Sequence, residues 1–344
     1  MRYEPHDYQA QATRFILDHP EAAVLLGMGL GKSVISLTAV WELILDYFTV
    51  RRVLVIAPLR VARDTWPGEL AKWDHLEGLT MAVAVGTKLQ RLNALAQGAM
   101  VTVINRENIP WLVAHYGNAW PFDMVVIDEL SSFKNPRAKR FKELAKMRPY
   151  LSRIVGLTGT PAANGLMDLW AQFRLLDGGE RLGRYITHYR NRWFVPDKRN
   201  GMQVFTYKPR EGAEEGIYMA IADMTVSMKT TDHLRLPPLT VTTHMVEMSE
   251  REARTYDELR KDLVVTLDGH VIDAANAAAL SGKLLQLASG AIYTAEGETV
   301  AVHDRKLDAL EDLIEAANGE ALLVAYWFRH DKTRIQQRFP DARE

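Results

Sequence analysis

Six short runs of aliphatic residues recur through the first 175 residues, and each is followed by a stretch with the 3.6-residue period of a helix. The runs are AAVLL at 22–26, RVLVIA at 52–57, MAVAV at 81–85, MVTVIN at 100–105, MVVIDE at 124–129 and IVGLTG at 154–159. They are apolar at consecutive rather than alternate positions, so as strands they must be buried on both faces. Intervening helices would cover those faces. This predicts an α/β fold, a doubly wound parallel sheet whose ligands bind at the carboxyl ends of the strands.

The alternation stops near Leu176. GERLGRYITHYRNRWFVPDKRNGMQVFTYKPREG is polar, aromatic and basic, and reads as an insertion. Beyond Pro237 and Pro238 come a strand candidate, LTVTTHMVEM, and a helix opened by a capping box, Ser249 with Glu252 three residues on. RKLDALEDLIEAA has helical period, and ALLVAYW at 321–327 is a buried-strand candidate. The expected organisation is a complete α/β lobe at 1–175, a helical and basic insertion with linker at 176–236, and an incomplete second lobe at 237–344.

Composition narrows the function classes. With 47% hydrophobic and 25% charged residues the chain is globular, not disordered, collagen-like or coiled-coil. No stretch approaches the ~20 apolar residues of a membrane span, and the start, MRYEPHDYQAQ, has no apolar signal core. A cytoplasmic protein without a membrane partner is expected. The absence of Cys excludes disulfides, thiolate metal sites and Cys nucleophiles. The ten His show no HExxH spacing, so structural or surface roles are expected.

Net charge is −1, but it is unevenly spread. Between Lys134 and Arg210 there are 17 Lys and Arg against 5 Asp and Glu, leaving 25 against 38 elsewhere. Such a belt suits a polyanion surface, because Lys and Arg contacts to phosphates dominate nucleic-acid affinity. A solvated face is the alternative. The belt contains Lys134, Arg137, Lys139 and Arg140, and then a second cluster of Arg181, Arg184, Arg190, Arg192, Lys198 and Arg199.

GMGLGKS at 27–33 lies between an apolar strand and the helix VISLTAVWELIL. Small residues at Gly29 and Gly31 let backbone, including Leu30, wrap around phosphates. Lys32 can reach the β/γ-phosphates, and the Ser33 hydroxyl can ligate Mg²⁺. The full pattern asks for Gly where Leu26 stands. At the end of MVVIDE, Asp128 would hold Mg²⁺ through water and Glu129 would orient and deprotonate an attacking water. Taken alone, such a pair is more often a helix cap or a solvated pair. In LTGTPAANG, the hydroxyls of Thr158 and Thr160, flanking Gly159, could relay the state of the γ-phosphate, although TGTP is otherwise an ordinary turn. Trp66 and Trp73, at helical spacing, read as packing residues.

In this order the motifs resemble those of superfamily 2 nucleic-acid-dependent ATPases, and within them the Swi/Snf-type double-stranded-DNA translocases. DYQAQATRF resembles that family's adenine-reading element, with Gln9 in the Gln position. MGLGKS matches motif I, IDELSSFKNP is similar to motif II and LTGTP matches motif III. APLRVARDTWPGELAKW and VTVINREN resemble DNA-track segments, which implies DNA contacts at Pro58, Arg60, Arg63, Asn105 and Arg106, joined by Lys134, Arg137, Lys139 and Arg140. The likeness continues through SMKTTDHLRLPPLTVTTHMVEMSEREARTYDEL, KLLQLASGAIY and KLDALEDLIEAANGEALLVAYWF, and so covers nearly the whole chain.

The resemblance implies two RecA-like lobes, the second incomplete, with ATP and Mg²⁺ as cofactors. It also implies a bacterial or phage source and movement on duplex DNA with little sequence preference. The rival readings are a strand-separating DNA or RNA helicase of the same superfamily, and a nucleotide-gated DNA-binding module without turnover. Three departures stand out. Leu26 and Gly27 replace an acidic pair. DELS replaces DEAH or DEAD, with weaker coupling to motif III expected. Nothing matches motifs V and VI with their arginine fingers, so a chain truncated before them should bind ATP and hydrolyse it poorly.

Overall fold

The computed structural model describes residues 1–162, 165–200, 203–204, 206–228, 240–274, 276–317 and 319–343, the side chains at 199–200 and 203–204 excepted. The linking stretch at Pro237 and Pro238, and Ala163 and Asn164 of the LTGTPAANG turn, lie outside the described residues. The chain divides into two units, Met1–Pro237 and Pro238–Glu344.

In the first unit all six apolar runs are strands within a residue of their expected bounds: β1 Glu21–Leu26, β2 Val53–Ala57, β3 Met81–Ala84, β4 Val101–Asn105, β5 Met124–Asp128 and β6 Arg153–Thr158. The helices are α1 Asp7–Asp18, α2 Lys32–Trp41, α3 Trp66–Lys72, α4 Lys88–Ala96, α5 Ile109–Tyr116, α6 Lys139–Met147 and α7 Met167–Asp177. Every pairing is parallel, in the spatial order β1, β6, β5, β2, β4, β3.

The continuous apolar runs are explained by the strand period of two. Ala23, Leu25, Leu54 and Ile56 enter a core with Ile109, Phe141 and Leu169. Their neighbours Ala22, Val24, Val53 and Val55 enter another with Ala12, Ile16, Val40 and Leu43. Each strand therefore contributes to both cores, and polar residues are pushed to the strand ends.

The described residues of 176–228 continue this unit, sharing its sheet or core. They form α8 (Ile186–Trp193), β7 (Phe194–Pro196) paired with β10 (Tyr207–Pro209), β8 (Arg199–Asn200) paired with β9 (Gln203–Val204), α9 (Ala213–Ala220) and β11 (Thr225–Met228). Leu182, Tyr189, Phe194, Ile217 and Met224 extend the first core. β11 adds a seventh parallel strand beside β1, with Ala23 opposite Thr225. TVSM is too short to show a period, and the open edge of β1 supplies the ladder that makes it a strand.

The second unit has helices at Glu250–Asp262, Ala277–Ala288, Arg305–Ala316 and Arg329–Arg338. Two hairpins pair Val264–Leu267 with His270–Asp273 and Ala291–Tyr293 with Thr299–Ala301. Leu259, Val265, Ile272, Leu287 and Ile292 form a small core. The capping box is as expected: the Ser249 hydroxyl accepts from the Glu252 N–H, and the Glu252 carboxylate accepts from the Ser249 N–H at 2.7 Å.

Among the described residues, neither expected strand of this unit forms. Residues 240–248 and 321–327 are unpaired, and Val241, Met245, Leu323 and Trp327 are exposed. A parallel strand needs neighbours for its N–H and C=O groups. Among the described residues the strand pairings of this unit are the two antiparallel hairpins, and neither segment joins one. Among the described residues, no helix is long and apolar enough to cross a membrane.

Candidate nucleotide site and basic edge

The strand order places the ends of β1, β6 and β5 side by side. The glycine-rich turn after β1 enters α2 through Gly29 at φ 80° and Gly31 at φ 77°. A β-carbon at Gly31 would lie 2.6 Å from Gln9 Nε2, the movable end of a side chain, so it is the left-handed backbone conformation that demands glycine there. The Leu30 side chain is fully buried. The Leu30 carbonyl accepts from Gln9 Nε2 at 3.4 Å. Gln9 is itself buried in α1, and its Oε1 accepts from the His6 N–H at 3.0 Å. Gly27 N–H donates to Met228 O at 3.2 Å, so β11 also supports the turn.

Lys32 opens α2 with Ser33 beside it. Its ammonium lies across the turn, donating to Leu26 O at 2.9 Å and Gly27 O at 3.0 Å. Burial pushes the Lys32 pKa down, and the Asp128 and Glu129 carboxylates oppose that shift. Asp128 ends β5. Burial raises its pKa, against a hydrogen bond from Trp66 Nε1 to Oδ2 at 3.0 Å and the charge of Lys32.

Glu129 sits at φ 61°, ψ 62°, a left-handed conformation that costs a non-glycine residue roughly 1–2 kcal/mol. The turn aims its carboxylate at β6. Oε1 accepts from Thr158 Oγ1 at 3.1 Å and from the Ser131 hydroxyl. Thr158 Oγ1 accepts in turn from the Thr160 N–H at 3.2 Å. A β-carbon on Gly159 would stand 3.3 Å from Leu26 O, so the third segment packs directly on the backbone of the first. DELS, read from the sequence as a change that could weaken coupling to the third segment, places Ser131 on the same carboxylate oxygen that Thr158 bonds.

The donor set, one hydroxyl at Ser33 and one carboxylate at Asp128, fits Mg²⁺ held largely by phosphate and water. Among the described residues no cluster of three or more His, Asp or Glu could hold a metal by itself.

The other half of the same sheet edge carries the basic segments. Pro58, Arg60 and Arg63 follow β2. Arg63 forms a two-pronged pair with Asp64, at 2.8 and 2.9 Å. Asn105 closes β4, buried, donating to Glu107 at 3.0 Å, and Arg106 also pairs with Glu107 at 2.8 Å. After β5 come Lys134, 3.5 Å from Asp168, and Arg137 and Lys139, both exposed. Arg140 donates to Ser132 O at 2.7 Å and braces the turn that carries Glu129.

Part of the basic belt is structural. Arg148 pairs with Glu21, and Arg153 donates to Ile16 O and Leu17 O at the end of α1. Arg181 pairs with Asp223 at 2.7 Å and with Asp177 and Glu21, and the Asp223 bond raises its pKa. Arg184, Arg192 and Lys198 are exposed, and Arg190 lies over the Tyr207 ring. The Arg199 side chain is outside the described residues.

Sequence reasoning missed two residues of the site, Trp66 and Ser131. Ser131 lies two positions from Glu129 and was legible as a departure from DEAH. No spacing rule links Trp66 to a residue 62 positions away.

The Asp128 geometry makes a prediction. Its folded-state pKa is above the unfolded value, so the cost of burying it is absent below the ordinary carboxylate range and grows as pH rises through the shifted value. Without nucleotide or metal at neutral pH, Asp128→Asn is expected to melt above the parent, with the gap in Tm shrinking on acidification. A variant that melts at or below the parent at pH 7 would mean that the hydrogen bond from Trp66 outweighs burial.

The SNF2-related domain family matches residues 8–289. Protein p41 of Acyrthosiphon pisum secondary endosymbiont phage 1 is 37% identical over 348 residues, covering 99% of this chain and 76% of the relative. The DNA excision repair protein ERCC-6-like of Mus musculus is 32% identical over 164 residues, 45% of this chain and 13% of its own length. The DNA repair and recombination protein RAD54-like of Drosophila erecta is 27% identical over 177 residues, 48% of this chain and 22% of its own. The chain thus spans three quarters of the phage protein, while its matches cover less than a quarter of the two repair proteins. A solved Sulfolobus solfataricus SWI2/SNF2 ATPase core in complex with dsDNA shares the fold, with a TM-score of 0.58 at 19% identity over 97% of this chain and 69% of that one. By these matches and by its parallel α/β architecture, the chain belongs to the SNF2-related family.

Proposed function

We propose that the chain binds ATP with Mg²⁺ at the ends of β1, β5 and β6, hydrolyses it, and couples turnover to movement along duplex DNA. The observation that carries this reading is the meeting of Lys32, Asp128, Glu129 and Thr158 at one half of a sheet edge whose other half bears the basic segments after β2 and β4. Lys32 would leave the Leu26 and Gly27 carbonyls for the β/γ-phosphates. Gln9, already lodged against the phosphate turn, would read adenine. Glu129 would orient a water and take its proton, and Thr158, bonded to that carboxylate, would transmit phosphate occupancy to the turn at Thr160. Mg²⁺, held by Ser33 and Asp128, would neutralise charge on the transferred phosphoryl group.

DNA is favoured over RNA by the DNA-repair names of the relatives and by the duplex in the similar structure. Contacts from Arg60, Arg63, Arg106, Lys134, Arg137 and Lys139 would fall on the backbone, which positions without reading sequence. The phage relative fits action in the cytoplasm of a bacterial cell or phage-infected host.

The turnover-free reading keeps the same site without an arginine finger, a group worth roughly 10³–10⁵ in rate in related enzymes. ATP hydrolysis measured with and without duplex DNA, beside triplex-displacement and strand-displacement assays, separates the readings. DNA-stimulated hydrolysis with triplex displacement and no unwinding supports translocation. Tight nucleotide-dependent DNA binding with no hydrolysis supports the gated module.

DNA affinity is expected to fall with salt by about 0.9 log unit per log unit of salt for each phosphate neutralised. Binding titrations from low to moderate salt check this, and a flat response would remove the basic edge from the mechanism.

A further inference from the structure

The Trp66 indole is completely buried, yet its one polar atom points at the carboxyl edge of the sheet and donates to Asp128 Oδ2 at 3.0 Å. With the Glu129 backbone N–H, which also bonds this carboxyl, it fixes the plane of the group. Trp66 is the first residue of α3, directly after a wide π-helical turn at Val61–Thr65. That turn hangs from the end of β2 by the bond from Ala62 N–H to Pro58 O at 2.8 Å. β2 lies beside β5, with Ile56 opposite Ile127. One short segment therefore sends Arg60 and Arg63 to the edge of the sheet and, one helical turn after Arg63, sends Trp66 inward onto the carboxylate of the next strand. Single wide turns of this kind are frequent at functional sites, and groups bonded to a metal-holding carboxylate tune how it binds.

We propose that Trp66 is a positioning residue for the Asp128 carboxylate, and that through it the basic segment 58–65 is linked to the nucleotide site. A phosphate drawn to Arg60 or Arg63 would shift the turn, and the shift would reach Asp128 through a rigid indole. The inference rests on the proposed role of Asp128.

Trp66→Phe keeps an aromatic ring in the core and removes the donor. In the full chain, ADP affinity with Mg²⁺ is expected to fall roughly tenfold, as for a lost hydrogen bond to a charged group, while affinity in EDTA stays parental. A merely structural role would lower both or neither. The second measurement uses the ¹⁵N-labelled parent. Its Trp66 indole resonance, assigned from the variant or through bonds if the variant does not fold, is expected to move when Mg²⁺ is added to the ADP complex and when a DNA duplex is added.

Equal Mg²⁺ dependence in parent and variant, or an indole resonance indifferent to Mg²⁺, overturns the positioning role. An indole unmoved by duplex while other resonances respond overturns the link to the basic segment and leaves the proposed function standing. A parent that binds neither ADP nor duplex overturns both.

Discussion

Glu129→Gln is expected to lower ATP turnover by roughly 10²–10⁴, the contribution of a positioned general base, while leaving nucleotide affinity within a few fold of the parent. Glutamine keeps the shape of the side chain, and its Oε1 can still accept from Thr158 and Ser131. It cannot take a proton from water. The strained turn at φ 61° is retained as well, so the loss belongs to proton transfer and not to a displaced loop. Single-turnover hydrolysis beside calorimetry with a nonhydrolysable analogue checks both halves. Turnover within threefold of the parent would remove Glu129 from the chemistry, and lost affinity would make it a structural residue of the site.

Lys32→Ala is expected to weaken ATP binding by at least about two orders of magnitude, since charge-assisted hydrogen bonds to phosphate oxygens are worth about 1.5–3 kcal/mol each. The fold should survive. Lys32 is only partly buried, and its ammonium bonds two carbonyls at the end of β1 that water can reach once the side chain is gone. Removing an ammonium whose charged form burial disfavours also offsets the lost bonds. Calorimetric titration with ATP and a thermal melt decide the matter. Unchanged affinity with an unchanged Tm would rule out the phosphate role of Lys32.

Much of the first lobe could be read directly. β2 is a wholly apolar run and β4 a mostly apolar one, both buried at every position, and a two-faced parallel sheet accommodates such runs. Asp128 and Thr158 close β5 and β6, and Lys32 opens the helix that follows β1, so all three follow from the alternation of strand and helix. β11 was not legible, because its four residues carry no period and become a strand by pairing with β1. The apolar runs at 240–248 and 321–327 err the other way, for hydrophobicity alone does not make a strand without a neighbouring ladder.

The local sequence determined which residues could grip a phosphate, since a glycine turn at positive φ, a lysine at a helix start and acids at a strand end depend on their immediate neighbours. Tertiary structure alone decided which of them meet. The spatial order β1, β6, β5, β2 brings Thr158 to Glu129 and the Trp66 indole to Asp128. It also assigns Arg148, Arg153 and Arg181 to ion pairs and helix ends while leaving Arg137 and Lys139 exposed. Hydrogen bonds and ion pairs act over a few ångströms of space, and distance along the chain carries no information about that separation once the sheet has reordered its strands.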